Sequence, residues 1–84
     1  MTTPDIPLNP RFVVARVDTI IKAIPVPHAS SLPIDDKFVL SQDDKLEINA
    51  CGFDDETNHY VITLPNFING LLVWFAFIDD VVIK

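Results

Sequence analysis

Residues 9–25 read Asn9-Pro10-Arg11-Phe12-Val13-Val14-Ala15-Arg16-Val17-Asp18-Thr19-Ile20-Ile21-Lys22-Ala23-Ile24-Pro25. The period assigned to this stretch decides the fold class. Val13, Val17, Ile20, Ile21 and Ile24 fall at i, i+4, i+7, i+8 and i+11, which is one face of a helix. Asn9 is a good N-cap and Pro10 suits the first helical position, where its missing N–H costs nothing. Asp18 and Lys22 form a favourable i,i+4 pair, and Pro25 stops the helix. The β-branched content argues for a strand instead: Val13, Val14, Val17, Thr19, Ile20 and Ile21 all lose rotamer freedom in a helix. Caps and period together predict a helix over 10–24, preceded by an extended arm over 1–9.

Working outward, residues 25–33 carry Pro25, Pro27 and Pro33 with Ser30 and Ser31, a stiff connector that leads the chain back across the body. From residue 34 onward the period changes to two. A strand is expected over 37–41 and a turn at Ser41-Gln42-Asp43-Asp44. A second strand follows over 45–50, with Leu46, Ile48 and Ala50 on one face. An acidic loop covers 52–58, and a third strand covers 59–64. Asn69-Gly70 signals a tight turn before a fourth strand over 71–78, and 81–83 supplies a short fifth. The expected architecture is α+β: one N-terminal helix packed on an antiparallel meander of four or five strands spanning 34–84. With 84 residues the chain has room for one domain.

Leu71-Leu72-Val73-Trp74-Phe75-Ala76-Phe77-Ile78 carries no polar side chain on either face, whereas a strand with one solvated face alternates. A single helix covers one face only. The second must be covered by the arm, by the connector, or by another subunit. Trp74, Phe75 and Phe77 are therefore the candidate apolar contacts with a partner, and a homodimer is expected because two-fold dimers are the commonest closed oligomers.

Charge narrows the partners. Twelve acidic residues face six basic ones, a net charge of −6 and an isoelectric point near 4.4. Arg11, Arg16, Lys22, Lys37, Lys45 and Lys84 are scattered, so direct binding to nucleic acid or to an anionic membrane is disfavoured. Asp43, Asp44, Asp54, Asp55 and Glu56 form the charged rim that would steer a basic protein. Aspartate is also a common turn residue, which explains the pairs without any partner. Cys51 is the only cysteine, as expected of a reducing compartment, and a soluble cytoplasmic protein is anticipated.

Enzymatic chemistry has weak support. Cys51 ends one predicted strand and His59 starts another, so a hairpin could pair thiol and imidazole, or join them with Asp54 or Asp55 around a metal. No flanking signature accompanies them. Two glycines, Gly52 and Gly70, cannot build a phosphate-cradling loop. No cofactor and no metal are expected. The function anticipated is a small acidic, non-enzymatic interaction module, in its sharper form an inhibitor or immunity-type protein that occludes a basic site on an enzyme. The alternatives are a structural subunit of a larger assembly, or a metal-dependent or Cys/His enzyme.

Overall fold

Inward-facing side chains set the fold of the first strands. In the computed structural model, which describes residues 11–26 and 28–84, Val13, Ala15, Thr19 and Ile21 are buried while their neighbours, buried Lys22 apart, are exposed or half-buried. That is period two, and the segment predicted as a helix is two strands, β1 (Arg11–Ala15) and β2 (Thr19–Lys22), joined by a bend at 16–18. The spacing of Val13, Val17 and Ile21 fits both periods, because a step of four residues returns a side chain to the same face of a strand as well as of a helix. Ile20 is half-buried on the opposite face and Ile24 is exposed. The α+β expectation is therefore corrected. Among the described residues the regular structure consists of strands and three short 3-10 turns at Ala29–Ser31, Ile34–Asp36 and Ile78–Asp80. The supposed caps Asn9 and Pro10, and the arm over 1–9, lie outside the described residues.

The remaining strands are β3 (Lys37–Leu40), β4 (Lys45–Ile48), β5 (Ala50–Asp54), β6 (His59–Ile68), β7 (Leu71–Phe77) and β8 (Val81–Ile83). They form two antiparallel sheets, one ordered β4-β1-β8 and the other β3-β2-β7-β6-β5. The expected run over 45–50 breaks at Asn49, whose N–H turns to the Thr63 carbonyl at 2.7 Å. The acidic loop is shorter than expected because Gly52, Phe53 and Asp54 continue β5, and β6 runs on through Pro65 to Ile68 with a register shift after Thr63.

Two long ribbons organise these pieces. β1 pairs with β4 and β2 with β3 in a single shared register, so residues 11–22 and 37–48 make one antiparallel ribbon creased in the middle. On the other side of 11–22 runs 71–83, which supplies β7 to the larger sheet and β8 to the smaller. Strands that pass from one sheet to the next through bends are the usual corners of crossed sheet packing. Between the sheets lie Val13, Ala15, Ile21, Leu40, Ile48, Ile62, Leu64, Trp74, Ala76 and Val81. Trp74 is fully buried; its ring meets Phe38 edge-on at 5.0 Å, and its Nε1–H donates to the Leu71 carbonyl at 3.2 Å. Asn69 and Gly70 both take positive φ, 51° and 82°, which builds the tight β6–β7 hairpin that Asn-Gly signals. Among the described residues no helix is long and apolar enough to cross a membrane.

Candidate functional site

The creases of the two ribbons lie side by side. The Arg16 N–H donates to the Asp80 carbonyl at 2.7 Å, the Asp43 N–H to the Ala15 carbonyl at 2.8 Å, and the Asp18 carboxylate accepts the Gln42 N–H at 2.8 Å. The 55–58 turn adjoins the same corner, because the Ile78 N–H donates to the Asn58 carbonyl at 3.0 Å. Each of these bends needs residues that tolerate turn geometry and bond nearby backbone, which is why aspartate occupies them. Asp43 and Asn58 take positive φ, and Asp54 accepts both the Glu56 N–H and the Thr57 hydroxyl. The consequence is an acidic belt. Asp43, Asp44, Asp18, Asp79, Asp80, Asp54, Asp55 and Glu56 lie along one side of the molecule, eight of the 12 acids in the chain. Arg16 is the one base within these four turns.

The candidate apolar contacts separate. Trp74 is inside the core and presents no surface. Phe75 and Phe77 point to the opposite, outer face of β7 and are half-buried. Leu71 and Val73 share that outer face and are exposed. Beyond them, at the pole remote from the acidic belt, stand exposed Ile24, Ile34 and Phe67. The Asn69 side-chain amide donates to the Asp35 carbonyl at 3.1 Å and ties the β6–β7 hairpin to that pole.

Pro25, Val26, His28 and Ser30 of the connector stand near the other part of the outer face, around Lys22 and Phe77. There lies a polar network that sequence reasoning did not assemble. Lys22 is paired across strands with Phe75 and His59 with Phe77, so both project outward, yet they retain only 6% and 2% of their surface. Lys22 Nζ donates to the Val26 carbonyl at 2.9 Å and lies 3.2 Å from His59 Nε2. His59 Nδ1 is 2.8 Å from the Thr57 carbonyl. A carbonyl only accepts, so Nδ1 carries the proton and Nε2 offers its lone pair to the lysine. Burial pushes the His59 pKa below its ordinary value, the Thr57 carbonyl opposes that shift, Lys22 adds to it, and Asp54 opposes it. Burial likewise lowers the Lys22 pKa, against the pull of Asp80. The pair is flanked by two open clefts that share Phe77. One, of about 360 Å³, is lined by Asp18, Thr19, Ile20, Lys22, His28, Ser30 and Asp80 besides Phe77. The other, of about 350 Å³, is lined by Pro25, Glu56, Thr57 and His59 besides Phe77. Asp80 is held toward the first by the Thr19 hydroxyl, which donates to it at 2.9 Å.

The only trace of this network in the sequence is one lysine inside the apolar run 20–24. The helical reading placed it on a solvated face beside Asp18. In the structure Asp18 caps the 41–44 turn and Lys22 turns to His59. Cys51 does not join them. It pairs across strands with inward-facing Ile62, whereas His59 faces outward, so thiol and imidazole lie on opposite faces of the sheet. Burial raises the Cys51 pKa against a lowering pull from Arg11, which leaves it a poor thiolate. Among the described residues no three His, Cys, Asp or Glu side chains come together as a metal site. Comparison with known proteins adds no relative: no family model, no curated protein and no solved structure matches the chain.

Proposed function

We propose that this chain is a small binding module that recognises a protein with a basic surface. The reading rests on one observation, the gathering of four acidic turns along one side of the molecule with Arg16 as their single base. A potential of one sign spread over such an area raises the encounter rate with an oppositely charged partner and weakens as salt screens it. In its finer form the partner is an enzyme whose basic site the belt occludes, and the lone thiol suits a cytoplasmic setting.

The test uses substitutions that leave the turns intact. Asp44, Asp55 and Asp79 are exposed, whereas Asp18, Asp54 and Asp80 hold turn or strand hydrogen bonds. Wild type and the Asp44→Lys/Asp55→Lys/Asp79→Lys variant are immobilised and offered a cell lysate at low and high ionic strength. Proteins retained by wild type at low salt, and lost both on charge reversal and at high salt, are the expected result. Identical capture by both chains, or by neither, refutes the reading.

A second reading, self-association, is favoured by the exposed Ile24, Leu71 and Val73 at the pole opposite the belt. Light scattering across a concentration series reads it directly. A mass near twice 9.4 kDa that returns to the monomer value in Leu71→Glu/Val73→Glu supports a dimer through that pole, and a monomer at every concentration rules it out.

A further inference from the structure

A buried amine bonded to the Val26 carbonyl and to a neutral imidazole, and opening on a cleft, is an unusual place to keep a lysine that only needs to carry charge. Lys22 Nζ has two partners, the Val26 carbonyl and His59 Nε2, and makes no ion pair at either. Asp80, which lines the same cleft, pulls the other way by favouring the ammonium. The imidazole is locked in the tautomer that accepts from the amine, because Nδ1 is committed to Thr57. A base is therefore already hydrogen-bonded to the nitrogen that would have to lose a proton.

We propose that Lys22 is a carbonyl-reactive amine that forms an imine with small, uncharged aldehydes entering the cleft beside Phe77. The step is balanced by groups on hand. The Lys22 ammonium passes one proton to His59 Nε2, and the freed nitrogen lone pair attacks the carbonyl carbon while the carbonyl π electrons move to oxygen. The oxygen of the adduct takes one proton from its nitrogen, giving the carbinolamine, then the proton that His59 received, and leaves as water. The product is a protonated C=N bond on Nζ. Overall one ammonium and one aldehyde give one iminium and one water, with no oxidant or reductant. Burial works in the same direction, since it disfavours the ammonium and raises the share of free amine near neutrality. A cleft of about 360 Å³ falls at the lower end of the range of ligand pockets, so the substrate is small. Asp18 and Asp80 line it, so carboxylate- or phosphate-bearing carbonyl compounds are repelled, while Ile20 and Phe77 offer an apolar wall. The inference is independent of the binding role assigned to the acidic belt.

The experiment incubates the full chain with propionaldehyde and cyanoborohydride near neutral pH, which reduces any imine to a stable propylamine. Peptide mapping then compares Lys22 with Lys37, Lys45 and Lys84. Lys22 is expected to label about tenfold faster or more than each of the others, since its nitrogen alone is hydrogen-bonded to an imidazole that can take its proton. His59→Gln, which keeps a side chain able to accept from Nζ but unable to take its proton, should bring Lys22 down to the common rate with an unchanged circular dichroism spectrum. Glyoxylate, an anionic aldehyde, should label Lys22 more slowly than propionaldehyde. Labelling of Lys22 at or below the rate of the other lysines overturns the proposal, and so does an undiminished rate in a folded His59→Gln chain. If His59→Gln fails to fold, the wild-type lysine ranking and the propionaldehyde-to-glyoxylate ratio decide it.

Discussion

Replacing Trp74 by alanine separates a core residue from a contact residue. The side chain has no exposed surface, and its ring lies edge-on to Phe38 at 5.0 Å. Truncating a buried tryptophan costs about 3–5 kcal/mol through lost transfer energy and the cavity left behind. The lost ring pair adds about 0.5–1.5 kcal/mol. The Leu71 carbonyl that accepts from Nε1 belongs to an exposed residue, so water replaces that bond at little cost. A total of about 3.5–6.5 kcal/mol compares with about 4–13 kcal/mol expected for a whole chain of 84 residues. Trp74→Ala should therefore lose a large share of the chain's stability at 25 °C. Trp74→Phe, which keeps an aromatic ring against Phe38, should lose about 1–2 kcal/mol and melt some 4–16 °C lower. Urea titration followed by circular dichroism gives the first number, and a thermal scan the second. A surface tryptophan behaves in the opposite way, with negligible loss of stability and ready quenching of its fluorescence. A loss under about 1 kcal/mol for Trp74→Ala, or native emission quenched as freely as that of the unfolded chain, refutes the packing described above.

The other predictions concern titration, turns and the thiol. His59 has a folded pKa below 6.5, so between the two values the unfolded chain binds the extra proton. Its contribution should make stability fall as pH drops through about 6.5 and level off below the folded pKa; chemical denaturation from pH 7.5 downward should show that loss flattened in His59→Gln. Gly70 sits at φ 82°, so Gly70→Ala should cost about 1–2 kcal/mol in a melting experiment. Gly52 has open space where a Cβ would stand, and Gly52→Ala should be neutral or stabilising by up to about 1 kcal/mol, since glycine gives up more chain entropy in a strand. Cys51 should react with a disulfide reagent more slowly than free cysteine at pH 8, because burial holds its pKa up; a faster reaction contradicts its place on the inward face of β5.

The C-terminal half of the fold was legible where one period prevailed. Residues 45–48 alternate as a strand with one solvated face should, 71–77 is a short run rich in aromatic residues bounded by turns, and Asn69-Gly70 announced its hairpin because both central positions of that turn take positive φ. The first strands were hidden by coincidence of period. Val13, Val17 and Ile21 satisfy helix and strand alike, and the residues that break the tie were small or polar: Ala15 and Thr19 are buried, while Ile20 and Ile24 are not. Thr19 is buried with its hydroxyl satisfied by Asp80, 61 positions later. No local pattern carries that information. The β-branched content was the better guide to this stretch. The acidic turns were individually visible, but their alignment into a belt depends on 11–22 lying between 37–48 and 71–83, which is a property of register. The Lys22–His59 pair was invisible for the same reason.

Strand order also decides when this chain can fold. β7 lies between β2 and β6 in the five-stranded sheet, yet it is synthesised after both. Until it appears, the growing chain holds a two-stranded ribbon and a β5–β6 hairpin, neither wide enough to stand alone in water. Folding is thus a late event in which the most apolar segment of the chain arrives after both of its neighbours and closes the gap between two waiting edges. Pairing residues so distant in sequence is slow, and during that interval the facing edges of β2 and β6 are open to strands of neighbouring chains. The same stretch that completes the native sheet is the one that a crowded translation site must keep apart from its copies.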